Sequence, residues 1–199
     1  MPLTQRPHWS GAIPAAQELL RQQEQGEVFT GLVEPLAPAD VMQAYATQDC
    51  LIDIQSQLRH TAVSGYKIAI TTPVMREFVG FDDAISGCVM ADTVFQSGHS
   101  VSASKRQHLI IEFELALQFG MDVPERKAPW TADNILDFIA CAYPCLEIAD
   151  DRQAVYADLK HNFFSLVAEN AWNHGAVLGA HIEKNKFPDL WQTTGTAYV

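Results

Sequence analysis

Hydrophobic positions along this chain recur with two different periods, and the change from one to the other divides it. Near the amino terminus the spacing is helical. PAAQELLRQQEQ, residues 14–25, reads as a short helix with Pro14 in its first turn and Gly26 as its stop. A longer helix is expected from Pro38 to about Leu58, because Val41, Tyr45, Gln48 and Ile52 keep a helical period. Pro2, Pro7 and Gly11 interrupt any pattern before that, so the first twelve residues are expected to fray. Residues 1–62 therefore read as a helical amino-terminal lobe.

After Gly65 the period shortens. YKIAITT, ending at Pro73, SGCVMADTVF and LIIEFELAL read as strands, with the polar loop VSASKRQ before the last of them. APWTADNILDFIACAYP predicts a helix: Thr131 is placed as its N-cap, Ile135, Phe138, Ile139 and Ala142 share a face, and Pro144 ends it. CLEI then reads as a short strand, NFFSLVAENAW as a helix or a bulged strand, with helix preferred, and GAVLGAHI as a strand. Strands dominate the middle and helices lie at the start and between strands, so the class is α+β, with residues 63–199 forming the sheet domain.

Composition narrows the function classes. Of 199 residues, 48% are hydrophobic and 19% charged, the balance of a water-soluble globular chain. No apolar run approaches the roughly 20 residues needed to cross a bilayer. No signal-like apolar segment opens the chain, and Cys50, Cys88, Cys141 and Cys145 lie in apolar surroundings. Reduced thiols and a cytoplasmic location are expected. The net charge of −11, without a basic cluster, argues against nucleic acid and anionic membranes as partners. An anionic substrate would need a local positive centre, from a metal ion or a placed lysine.

The chemistry is concentrated in LIIEFELAL. On a strand Glu112 and Glu114 point to one face, beside Ile110 and Ala116, while Ile111, Phe113, Leu115 and Leu117 cover the other. Two carboxylates within about 7 Å repel each other unless solvent, a proton or a cation intervenes. An exposed edge strand would carry the same pattern. Glu147, a lone acid in the apolar PCLEI, adds a third carboxylate that needs a partner. Three such oxygen ligands suit Mg²⁺ or Mn²⁺ and leave positions open for a chelating substrate. Lys67, inside the apolar YKIAI, either reaches for the sheet edge or serves a site by holding an oxyanion or moving a proton. Asp92 in VMAD is a weaker candidate, as suited to capping a turn. No GxSxG, HExxH or phosphate-binding glycine loop occurs, and the histidines lack metal-ligand spacing.

Gly65-Tyr66-Lys67-Ile68 with Thr71-Thr72-Pro73, then Glu112-Phe113-Glu114, then Leu146-Glu147-Ile148 before Asp151-Arg152, occur in an order that resembles the 2-keto-4-pentenoate hydratase branch of the fumarylacetoacetate hydrolase superfamily. Residues 43–48 (QAYATQ) resemble that branch's amino-terminal lobe, and the likeness runs from about residue 14 to 190. The resemblance implies a mixed β-roll with a helical lobe, assembled into homo-oligomers, and Mg²⁺ or Mn²⁺ on Glu112, Glu114 and Glu147. It also implies a cytoplasmic enzyme of aromatic-compound catabolism that adds water to a 2-hydroxy-2,4-dienoate to give a 4-hydroxy-2-oxo acid. Lys67 and Asp92 would act in catalysis, with Tyr66, Thr72, Glu169 and Asn170 on the substrate. Decarboxylation of 4-oxalocrotonate, acylpyruvate hydrolysis or a non-catalytic binding role fit the same motifs. Two departures stand out: Glu169-Asn170 replaces the family's Asp-Asn pair, and the final residues WQTTGTAYV fall where members continue through further strands, so a C-terminally truncated roll is expected.

Overall fold

The computed structural model describes residues 9–124, 129–187 and 194–196. Its first helix, α1 (Ala12–Glu24), buries Ala12, Ala15, Ala16, Leu19 and Gln22, a stripe at three- and four-residue spacing. The second, α2 (Val41–Arg59), starts at Asp40, whose side chain accepts the Gln43 amide, and ends at His60 in the left-handed conformation. Pro38 thus stands two residues before the cap instead of in the first turn. Buried Gln48 fixes α2 to the rest of the chain: its Nε2 donates to the carbonyls of Ser86 and Val167 at 3.1 and 2.7 Å.

The strands form two sheets. Strands β1 (Val63–Ala69) and β2 (Ile85–Met90) pair antiparallel, with the short helix α3 (Pro73–Val79) between them. The expected strand SGCVMADTVF is split by a 3₁₀ turn over Ala91–Thr93, after which β3 (Val94–Gln96) joins the other sheet. That sheet has the order β3-β6-β5-β4, where β4 is Leu109–Phe119, β5 is Ile139–Asp150 and β6 is Asn173–Leu178. The short β7 (Ile182–Glu183) continues beside β5, and β3 runs parallel to β6.

One expected helix is mostly strand. Thr131 does cap a helix, but α4 (Ala132–Ile135) is four residues long, followed by a 3₁₀ turn at Leu136–Phe138. Ile139 to Tyr143 belong to β5 and pair with the second half of β4, Ala142 opposite Leu117 and Ile139 opposite Phe119. The long β4 offers a row of backbone groups, and satisfying them outweighs a helical spacing. Pro144 lies inside β5 and stops no helix. Its carbonyl accepts the Gly179 amide at 2.8 Å, so its ring nitrogen faces the break between β6 and β7, where no ladder bond is required.

The expected helix is present over α5 (Phe163–Ala168), but Asn170–Trp172 form a left-handed turn with positive φ instead of continuing it. Its Phe163, Leu166, Val167 and Ala168 share one core with Leu19, Leu51, Phe29, Val79 and Ile85. Below this core, Arg152 pairs bidentately with Glu169 at 2.8 and 2.7 Å and donates to the Glu27 carbonyl. Among the described residues no helix is long and apolar enough to cross a membrane.

Candidate metal centre

The β4–β5 register assembles the acids. Glu112 lies directly opposite Glu147, and Glu114 opposite Cys145, so all three carboxylates leave one face of the ladder. One oxygen from each falls within 4.8 Å of the other two. Glu147 is 3% exposed while Glu112 and Glu114 are open to the cleft, a floor ligand with two at the rim. Burial raises the carboxyls of Glu112 and Glu114 above the usual carboxylate range, and neighbouring acids add to it: Glu147 for Glu112, Glu147 and Glu112 for Glu114. Lys67 opposes the shift in both. The Cys145 thiol is pushed up to about 11, first by burial and then by Glu114 and Glu147. One lysine against three converging carboxylates leaves excess negative charge, and an all-oxygen donor set fits a hard divalent cation.

Lys67 reaches this group from β1. Its Nζ stands 3.2 Å from Glu147 Oε1, and its side chain is 11% exposed. The same oxygen accepts from Asn173 Nδ2 at 2.9 Å. Glu147 is thereby oriented by two donors on Oε1, the way outer-shell groups orient a metal ligand. Asn173 drew no attention as sequence; only the register of β6 against β5 brings it here.

A cleft of about 410 Å³ opens over the acids, lined by Lys67, Thr72, Glu112, Glu114, Tyr156 and Trp172 among others. Thr72 caps α3, its Oγ1 accepting from the Met75 amide at 3.3 Å, which leaves its hydroxyl hydrogen to donate elsewhere. The Tyr156 hydroxyl is raised to about 12, by burial first and then by the charge of and hydrogen bonding to Asp151, so it stays protonated. Three residues of the wall, Ile70, Ala171 and Trp172, hold positive φ angles of 58°, 45° and 59°. Left-handed backbone at such side chains costs about 1–3 kcal/mol each and is concentrated at functional sites. Gly87 makes the turn possible, because a Cβ there would lie 2.9 Å from the Asn170 carbonyl oxygen.

Other expected site residues lie apart from the acids. Tyr66 alternates to the side away from Lys67 and is 77% exposed. Asp92 is held by Arg59, at 2.9 Å from Nε. Glu169 is buried against Arg152, and Asn170 clamps Cys88, accepting from its amide and donating to its carbonyl at 2.6 and 2.8 Å. These two shape the wall from behind.

No protein-family model matches the chain. Sequence comparison finds the 2-keto-4-pentenoate hydratase of Paraburkholderia xenovorans LB400, 27% identical over 166 residues covering 83% of this chain. That of Burkholderia vietnamiensis G4 is 28% identical over 168 residues. By sequence, the chain resembles the 2-keto-4-pentenoate hydratases. A 4-oxalocrotonate decarboxylase from a Pseudomonas species is 27% identical over 116 residues, 58% of this chain and 43% of that protein, and so extends the likeness to the wider branch. The fold agrees. The 4-oxalocrotonate decarboxylase of Pseudomonas putida G7 complexed with calcium and acetate superposes with a TM-score of 0.75 at 18% identity, over 88% of this chain and 64% of that one. The same enzyme complexed with magnesium and adipate gives 0.72 at 20% identity, over 88% and 65%. The chain spans about 60% of the length of the hydratases named above.

Proposed function

We propose that this chain is a divalent-metal-dependent hydro-lyase that adds water to a 2-hydroxy-2,4-dienoate, giving a 4-hydroxy-2-oxo acid. The observation that carries the reading is the convergence of Glu112, Glu114 and Glu147 within 4.8 Å, with Lys67 on Glu147. These three side chains would hold Mg²⁺ or Mn²⁺. A bound cation of this kind supplies positive charge against the negative charge that develops on a 2-oxo acid during reaction.

The chain's own groups do the rest. Lys67 Nζ holds the substrate's carboxylate end or moves a proton there, while the hydroxyl of Thr72 donates from the cleft wall. Ala69, Ile70 and Trp172 form an apolar wall for the unsaturated tail. Asp92, paired with Arg59, and Tyr66, exposed on the other side of β1, take no part in this assignment, and Glu169 and Asn170 shape the wall from behind. The reading includes a cytoplasmic setting, supported by four free cysteines, and a homo-oligomer, supported by exposed Ile111, Phe113 and Phe119 on edge strand β4. Decarboxylation of a 4-oxalocrotonate-type substrate is the second reading, favoured by the decarboxylase relative and the two superposed structures.

Turnover of 2-hydroxy-2,4-pentadienoate and of 4-oxalocrotonate, each with Mn²⁺ and with chelator, separates the two. Metal-dependent hydration is expected; decarboxylation without hydration selects the second reading. No metal-dependent turnover of either, with Mn²⁺ bound, would remove both.

A further inference from the structure

Behind the cleft, Trp172 forms the wall of a second, smaller cavity of about 180 Å³, which Arg59, Arg106, Asn173 and His174 also line. Its charges have a simple balance. Arg59 is paired with Asp92, and the lining Glu169 is paired with Arg152. Arg106 pairs with no carboxylate among the described residues, and its one hydrogen bond to them goes from Nη1 to the Lys105 carbonyl. Arg106 Nε and Trp172 Nε1, on two of the residues that line this cavity, are buried without a hydrogen-bond partner among the described residues. A buried N–H left unsatisfied is costly, so two on residues lining one cavity point to an acceptor from outside the chain.

The field inside the cavity has the matching sign. His174 is held down to about 4, by burial first and then by the positive charges of Arg106, Arg59 and Arg152; Asp150 opposes them. The Asp150 carboxylate is already engaged by the backbone amides of Gln107, His108 and Arg152. A neutral His174 offers one further donor at neutral pH.

We propose that this cavity is a small-anion site, with Arg106 as its charge and the Trp172 indole as a neutral donor, sized for a monocarboxylate. It is separate from the three glutamates and needs no metal. The singly charged balance of the lining favours a monoanion over a dianion.

The test is an acetate titration of the full chain in EDTA, at constant ionic strength with chloride exchanged for acetate. It is read from the ¹H–¹⁵N indole resonance of Trp172, assigned with Trp172→Phe. A saturable shift on the order of millimolar is expected. Arg106→Gln should weaken it at least about 10-fold, the effect of losing one charged hydrogen bond. Glu114→Gln should leave it unchanged. Arg106→Lys, which keeps the charge but lacks Nε, should also weaken it and serves if Arg106→Gln does not fold. No saturation up to 100 mM, an unaltered titration in both Arg106 variants, or loss of the response in Glu114→Gln would overturn the proposal.

Discussion

Replacing Glu114 with Gln should raise the melting temperature of the metal-free protein and abolish its response to Mn²⁺. The two effects have one cause. Glu114 shares a face with Glu112 and Glu147, within 4.8 Å of both, and its carboxyl is already raised by burial and by those two neighbours. Removing its charge relieves cross-strand repulsion worth about 0.2–1 kcal/mol. For a chain of this size that is about 0.5–4 °C in Tm. Wild-type protein in Mn²⁺ at a hundredfold excess over Kd gains about 2.7 kcal/mol, or about 5–11 °C. The sign of the pH dependence follows from the same groups. Their folded pKa values lie above the unfolded ones, so the stability they contribute is full below the unfolded value of 4.5 and is lost as pH rises through the folded values. The variant's advantage in EDTA should therefore shrink as pH falls towards 4.5. Differential scanning calorimetry of both proteins in EDTA and in Mn²⁺, at several pH values, measures all of this. A variant that keeps the Mn²⁺ shift, or that melts lower than wild type in EDTA, would refute the reasoning.

Further outcomes follow from the contacts around the cleft. Asn173→Ala removes one of the two donors on Glu147 Oε1 and should weaken Mn²⁺ binding about 10–100-fold by calorimetric titration, while turnover at saturating metal survives. Lys67→Met should leave Mn²⁺ bound but cut kcat by at least about 100-fold; an unchanged kcat would remove Lys67 from the chemistry. Arg152→Met leaves Glu169 buried without its cation and should cost about 3–5 kcal/mol in urea unfolding, most of it restored by adding Glu169→Leu.

What the sequence discloses is what depends on period. Alternation in LIIEFELAL places Glu112 and Glu114 on one face, and the lone acid in PCLEI points to Glu147; both need only the two-residue repeat of a strand. The helical stripes of α1 and α2 are legible for the same reason. What depends on pairing is not. Ile139–Tyr143 carries a helical spacing, yet the backbone of β4 claims it as strand. Asn173 enters the site through the β5–β6 register, and Glu169 leaves it because Arg152, seventeen residues earlier, captures it. Asp92 looks like an isolated acid until α2 brings Arg59 beside it. The expected tail motif in residues 191–199 falls mainly outside the described residues.

The proposed chemistry depends on an ion held by three glutamates. Its most direct test is an anomalous difference map from crystals of the chain grown with Mn²⁺. One peak is expected at about 2.1 Å from an oxygen of each of Glu112, Glu114 and Glu147, the spacing of a small octahedral cation. A peak at another acidic cluster, such as the Asp150–Asp151 turn, or no peak in Mn²⁺-saturated crystals, would contradict it.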